Sequence, residues 1–200
     1  MTIAFADAPP EARDAVLASL KQRAGTDSLL TPRLRGAAPG ELELKYAMRA
    51  FHLPVELIDL HHDPKPLHQL VEAPLWRFLI HTGTKAIAAA YAVGDGGPNW
   101  RIGEVAESPT VEGTEVAVET VAGDKELQTV RYEPVLLQAP ALDVIGLWLR
   151  APHPSADIVM PIPPSTAPFA TYKAMPAKDF VKLLYDKAKK IPRDDSARGG

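Results

Sequence analysis

Between Pro74 and Val93, in the sequence PLWRFLIHTGTKAIAAAYAV, Trp76, Phe78 and Ile80 alternate with Arg77 and His81. A period of two predicts a strand with one buried face, and Thr82-Gly83-Thr84 predicts the tight turn of a hairpin that returns over Lys85 to Val93. The return strand lines up Ala86, Ala88, Ala90 and Ala92. Alanine is a poor strand former, so such a row predicts close approach of a helix backbone. The N-terminal helix is the expected occupant.

That helix is read from Pro9-Pro10 followed by EARDAVLASLKQRAG, with Glu11 in its first turn, Lys21 and Arg23 in its last, and Gly25 as its stop. Ala12, Val16, Leu17 and Leu20 form its apolar face. Thr26 to Gly40 reads as loop. Glu41 to His52 fits a strand better than a helix, with Leu42, Leu44, Tyr46, Met48 and Ala50 on one side and Glu41, Glu43, Lys45 and Arg49 on the other. Short helical turns are expected after Pro54 and over Leu67 to Glu72.

Trp100 and Ile102 open a further strand, whereas Pro109 to Gly123 satisfies both helix and strand templates. Gln128 to Gln138, Ala141 to Arg150 and Asp157 to Ile162 read as strands. Pro163 to Pro168 looks like a linker, and AKDFVKLLYDKAKK after Pro176 like a second amphipathic helix carrying Phe180, Val181, Leu184 and Ala188. The expected fold is α+β: a twisted antiparallel sheet with N- and C-terminal helices packed on it. One globular domain is expected overall, divided into helix and loop (1–40), sheet core (41–164), and linker, C-terminal helix and mobile tail (165–200).

Several stretches together resemble a set of uncharacterised, often exported, bacterial α+β proteins: LELKYAMRAFHLPVELI, LHQLVEAPLWRFLI, GGPNWRIGEV and LQTVRYEPVLLQAPALDVIGLWLR. In that set a strand ending in an aromatic-x-Leu-Pro-like turn precedes a tryptophan-led hairpin, and a late strand carries an aliphatic-Trp-Leu pattern. The resemblance spans roughly Leu42 to Leu184 and implies a cystatin-like sheet and export. It implies no activity, cofactor or site residue.

Composition narrows the chemistry. The chain has 200 residues, a net charge of −3, 20 prolines and no cysteine. A weakly acidic balance makes nucleic acid a poor partner, and the lack of cysteine removes thiolate catalysis, disulfides and cysteine-based metal sites. No apolar run is long enough to span a bilayer. Ala4-Phe5-Ala6 has the small-x-small form of a signal-peptidase site, so the compartment stays open between cytoplasm and export.

Asp59, His61, His62 and His68 are the one cluster of metal-capable side chains in the sequence, but adjacent histidines on a short helix diverge, and no metal is expected. His81 is a half-exposed strand position in this reading. Gly83-Thr84-Lys85 lacks the rest of a phosphate loop, and Ser165 has no nucleophile elbow around it. The lysines of the last helix read as a solvated face. Trp76, Trp100 and Trp148, exposed together, would form a contact surface.

The leading expectation is a non-enzymatic module that binds a protein partner through its sheet face or hairpin loops, without a cofactor. A carrier for a small apolar ligand is the alternative, and a hydrolase built on Asp59, His61, His62 and His68 stands behind both. The sequence chooses no oligomeric state.

Overall fold

The structure, a computed structural model, describes residues 3–23, 31–58, 62–71, 75–95, 97 and 99–191. Among them are the helices α1 (Pro10–Arg23), α2 (Pro32–Arg35), α3 (Pro109–Gly123) and α4 (Ala177–Ala188). The strands are β1 (Leu42–His52), β2 (Leu75–Thr82), β3 (Lys85–Gly94), β4 (Trp100–Ala106), β5 (Glu133–Ala139), β6 (Val144–Arg150), β7 (Ile158–Ile162) and β8 (Met175–Pro176). They make an α+β fold with one sheet, ordered β4-β3-β2-β1-β5-β6-β7-β8. Neighbours are antiparallel except β1 and β5, which run parallel at the centre of the sheet. A parallel join requires a long connection, here through β2, β3, β4 and α3.

The strand reading of ELELKYAMRAFH holds, but its simple alternation does not. Between Lys45 and Met48 the register against β2 slips by one residue, and Tyr46 takes a left-handed backbone with φ of 49°. A bulge of this kind reverses which side later residues face. Leu42 and Leu44 therefore pack under α1, whereas Met48 and Ala50 pack on the opposite side with Ala117, Val118 and Val121 of α3.

The alanine row behaves as expected over most of its length. Ala88, Ala90 and Ala92 meet Ala12, Val16 and Leu20 of α1. Ala86 is carried to the other face by a slip between Ile80 and His81, and packs there with Leu79, Ala89 and Val111. The loop expected over Thr26 to Gly40 includes, in its described part, the short α2, which inserts Leu34 into this same cluster. Glu107 fastens α2 by accepting from the Arg33 and Leu34 N–H groups at 2.7 and 3.3 Å.

Pro109 to Gly123 is a helix. Val111, Val118 and Val121 serve α-helical packing and are buried with Ala117, while Val116 faces out. Helices thus cover both sides: α1 and α4 on one, α3 on the other. The segment read as a linker is fastened to the sheet, Ser165 Oγ donating to the Ile145 carbonyl at 2.6 Å and accepting from the Ile145 N–H at 2.9 Å, and Phe169 just after it packs on Phe180 of α4 with ring centroids 5.0 Å apart. In α4, Phe180, Val181, Leu184 and Ala188 are buried as expected. Burial of Phe180, Val181 and Leu184 contributes about 1.5–3 kcal/mol each. The tail after Ile191, part of the second helical turn expected near Glu72, and Asp59 to His61 lie outside the described residues.

At one edge of the sheet β4 pairs only with β3, and a slip between Tyr91 and Ala92 interrupts that pairing beside Gly103. At the other edge β8 is two residues long.

Gly146 in β6 has no room for a side chain, because a Cβ there would lie 2.8 Å from Val159 Cγ1 and 3.5 Å from the Met160 carbonyl oxygen. Gly146→Ala is expected to destabilise the fold by about 1–3 kcal/mol, read as a lower midpoint in urea denaturation with an unchanged slope.

Candidate functional site

The first turns of α4, the segment Pro64 to His68 and the turn Pro154 to Asp157 enclose a groove of about 510 Å³. Ala177 and Val181, one helical turn apart, supply its apolar wall from α4, and Leu67 faces them. Three prolines, Pro64, Pro66 and Pro154, stiffen the rim. The Lys65 N–H donates to the Tyr185 hydroxyl at 3.2 Å, which ties the proline segment to α4.

Asp157 forms the floor. Its carboxylate accepts from Trp148 Nε1 at 2.9 Å and from the Ala151 N–H at 2.8 Å, while its carbonyl accepts from the Ala177 N–H that starts α4. Burial pushes the Asp157 carboxyl up from its usual range, opposed by those two donors and by the charges of Arg150 and His68. Around the mouth stand the exposed Lys65, His68, Lys178 and Lys182. Lys182 pairs with Asp179 at 3.7 Å, and Lys65 and Lys178 have no carboxylate partner among the described residues. The groove is thus apolar inside and cationic outside.

The three tryptophans do not share one surface. Trp148, only 1% exposed, packs at a tilt on Phe51 with ring centroids 5.7 Å apart and donates to Asp157. Trp76 and Trp100 are half-buried beside α1. Of the metal-capable cluster, Asp59 and His61 lie outside the described residues; His62 and His68 are exposed, and no group of three metal-capable side chains forms among the described residues. His68 was legible as a ligand candidate, but the structure makes it part of the groove rim.

His81 is 2% exposed rather than half-exposed. It lies on the α3 side, edge-on to Tyr46 at 5.7 Å, with Nε2 3.6 Å from Glu115 Oε1. Burial lowers its pKa against the pull of Glu115. Arg77, read as the polar alternate of a hairpin, is 1% exposed. Its Nη1 donates to Thr114 Oγ1 at 3.2 Å, its Nε has no hydrogen bond, and no carboxylate among the described residues pairs with it. Neither burial was visible in a sequence that places both residues opposite an apolar face.

No family model, curated protein or solved structure matches the chain.

Asp157→Asn leaves one acceptor oxygen for two donors, one of them the buried Trp148 Nε1, and is expected to cost about 1–3 kcal/mol in urea denaturation. The pKa of His81 is below the ordinary 6.5 in the folded chain, so the folded state favours neutral imidazole, and that contribution is present above the unfolded pKa and lost as pH falls through the folded one. Acidification below the ordinary imidazole value of 6.5 should lower the thermal midpoint, and the drop should shrink in His81→Leu.

Proposed function

We propose that the protein is a non-enzymatic interaction module whose α4 groove receives an apolar side chain of a partner protein, flanked in that partner by acidic residues. The observation that carries this reading is the combination of a preformed apolar recess with Lys65 and Lys178 unpartnered at its mouth among the described residues. Proline-stiffened walls lose little freedom on binding, and a lysine rim favours an acidic approach. The groove is chosen over the sheet face expected from the sequence, because helices lie on both sides of the sheet and Trp148 is enclosed. A recess of this volume also suits a small apolar ligand, which is the second reading.

Selection of a displayed random-peptide library against the protein should enrich an aliphatic or aromatic residue bracketed by Asp or Glu. Lys65→Glu together with Lys178→Glu should weaken the selected peptide about tenfold or more in fluorescence polarisation, and added salt should weaken wild-type binding. Trp100→Ala should leave the affinity unchanged. Peptides without acidic bias, or binding indifferent to the lysine reversals, would overturn the reading. A small organic molecule retained in native mass spectrometry and lost with the groove variants would replace it with the carrier.

A further inference from the structure

The α4 groove holds one polar group that a purely apolar anchor leaves unused. Asp157 is 7% exposed and lines the recess, and it is the one buried charged side chain there, since Lys65, His68, Lys178 and Lys182 stand exposed at the mouth. Its backbone is engaged on both sides: the N–H donates to the Pro154 carbonyl at 3.2 Å, and the carbonyl accepts from the Ala177 N–H at 2.9 Å. The carboxylate is held in place by Trp148 Nε1 on one oxygen and the Ala151 N–H on the other. A carboxylate offers about four acceptor positions, so each oxygen keeps one, and no further donor among the described residues takes either.

That residual capacity selects among the side chains a partner could insert. Leucine or phenylalanine would pack against Ala177, Val181 and Leu67 but would strip water from Asp157 without replacing its hydrogen bonds. Lysine or arginine meets the cations of the mouth before it meets the carboxylate. Serine and threonine carry a hydroxyl but too little apolar surface for a recess of about 510 Å³. A phenol joins a flat apolar ring to one O–H at its tip, and an O–H donated to a carboxylate makes a short bond roughly twice as strong as a neutral one. Burial already pushes the Asp157 carboxyl up, so a further donor stabilises the charged form that the fold disfavours.

We infer that the side chain received by the groove is a tyrosine, its ring between the α4 wall and Leu67 and its hydroxyl donating to the Asp157 carboxylate. The inference rests on the groove being the interaction site and adds which side chain it selects. Asp157 is then the residue that sets specificity, and the lysines of the mouth set the acidic character of the flanking segment.

The Trp148 indole N–H reports on the carboxylate, because it donates to Asp157 Oδ2. In nuclear magnetic resonance of isotopically labelled protein, p-cresol should shift that signal saturably. Toluene, which has the same ring and methyl group without the hydroxyl, should bind about tenfold or more weakly. In Asp157→Asn one acceptor oxygen is shared by two donors, and the preference for p-cresol should fall below about threefold. If that variant does not fold, the wild-type comparison decides. Equal affinity for the two probes, or no saturable shift of the Trp148 indole up to about 5 mM p-cresol, overturns the inference. In acidic peptides selected against the protein, Tyr→Phe at the anchor should weaken binding about tenfold in fluorescence polarisation. Acidic peptides that bind as tightly with Phe or Leu as with Tyr overturn the inference and leave the groove as the interaction site. Peptides without acidic bias overturn the proposed partner instead, and a p-cresol preference still supports the tyrosine pocket.

Discussion

One extra residue in β1 governs what the two halves of the sheet can pack against. Before Tyr46 the strand offers Leu42 and Leu44 to α1; after it, Met48 and Ala50 are offered to α3 on the other side. Without the slip, a strand of one parity would present its apolar residues to a single face. The left-handed backbone at Tyr46 is uncommon for an aromatic residue and is held by its neighbours. Phe5 stacks on its ring at 5.2 Å and His81 meets it edge-on, so the N-terminal segment and β2 both brace the turnover. The Ala4-Phe5-Ala6 segment is part of this brace, with the Ala4 N–H donating to the Tyr132 carbonyl.

The placement of α3 and of the α4 groove follows from this arrangement. Because β1 joins β5 in parallel, the connecting chain carries α3 across the side opposite α1, and the start of α3 comes to rest over Tyr91 and Arg77. On the α1 side, beyond the reach of that helix, α4 completes the cover over β7 and β8. Its first turns stand away from Pro64 to His68, tied by Tyr185 and floored by Asp157. Between α1 and α4 lies a charged layer on the sheet, where Glu133 accepts from Arg49 Nε at 3.0 Å and lies 3.9 Å from Arg150, with both guanidinium groups over Phe51.

The hairpin, the alanine row under α1 and the apolar face of α4 were legible because a single local period decides each of them. α3 was not, since its valines satisfy strand and helix alike, and Gly113 lowers helix propensity. That glycine has a packing reason visible only in three dimensions: a Cβ would come within 3.1 Å of Pro163 Cδ, so the helix lies close against the end of β7. The bulge at Tyr46 leaves no sequence mark of the Gly or Pro kind. The groove draws on Pro64 to His68, Pro154 to Asp157 and Ala177 to Lys182, three stretches that no local pattern connects. Arg77 and His81 were misjudged as outward-facing because a second helix buries the side that alternation assigns to solvent.

The central parallel join also bears on how the chain acquires its structure. β1 to β4 pair through successive neighbours and need only sequence already synthesised when β4 emerges. One side of β1 then waits for β5, whose residues Leu136 to Gln138 pair with it there. Until those arrive, the strand that will become the middle of the sheet is an open edge, the state in which strands pair with the wrong chain. The finished protein has no comparable edge among its described residues, because β4 is interrupted by its slip and β8 is two residues long. Its vulnerable interval is therefore the time between translation of β4 and translation of β5, rather than any moment after folding is complete.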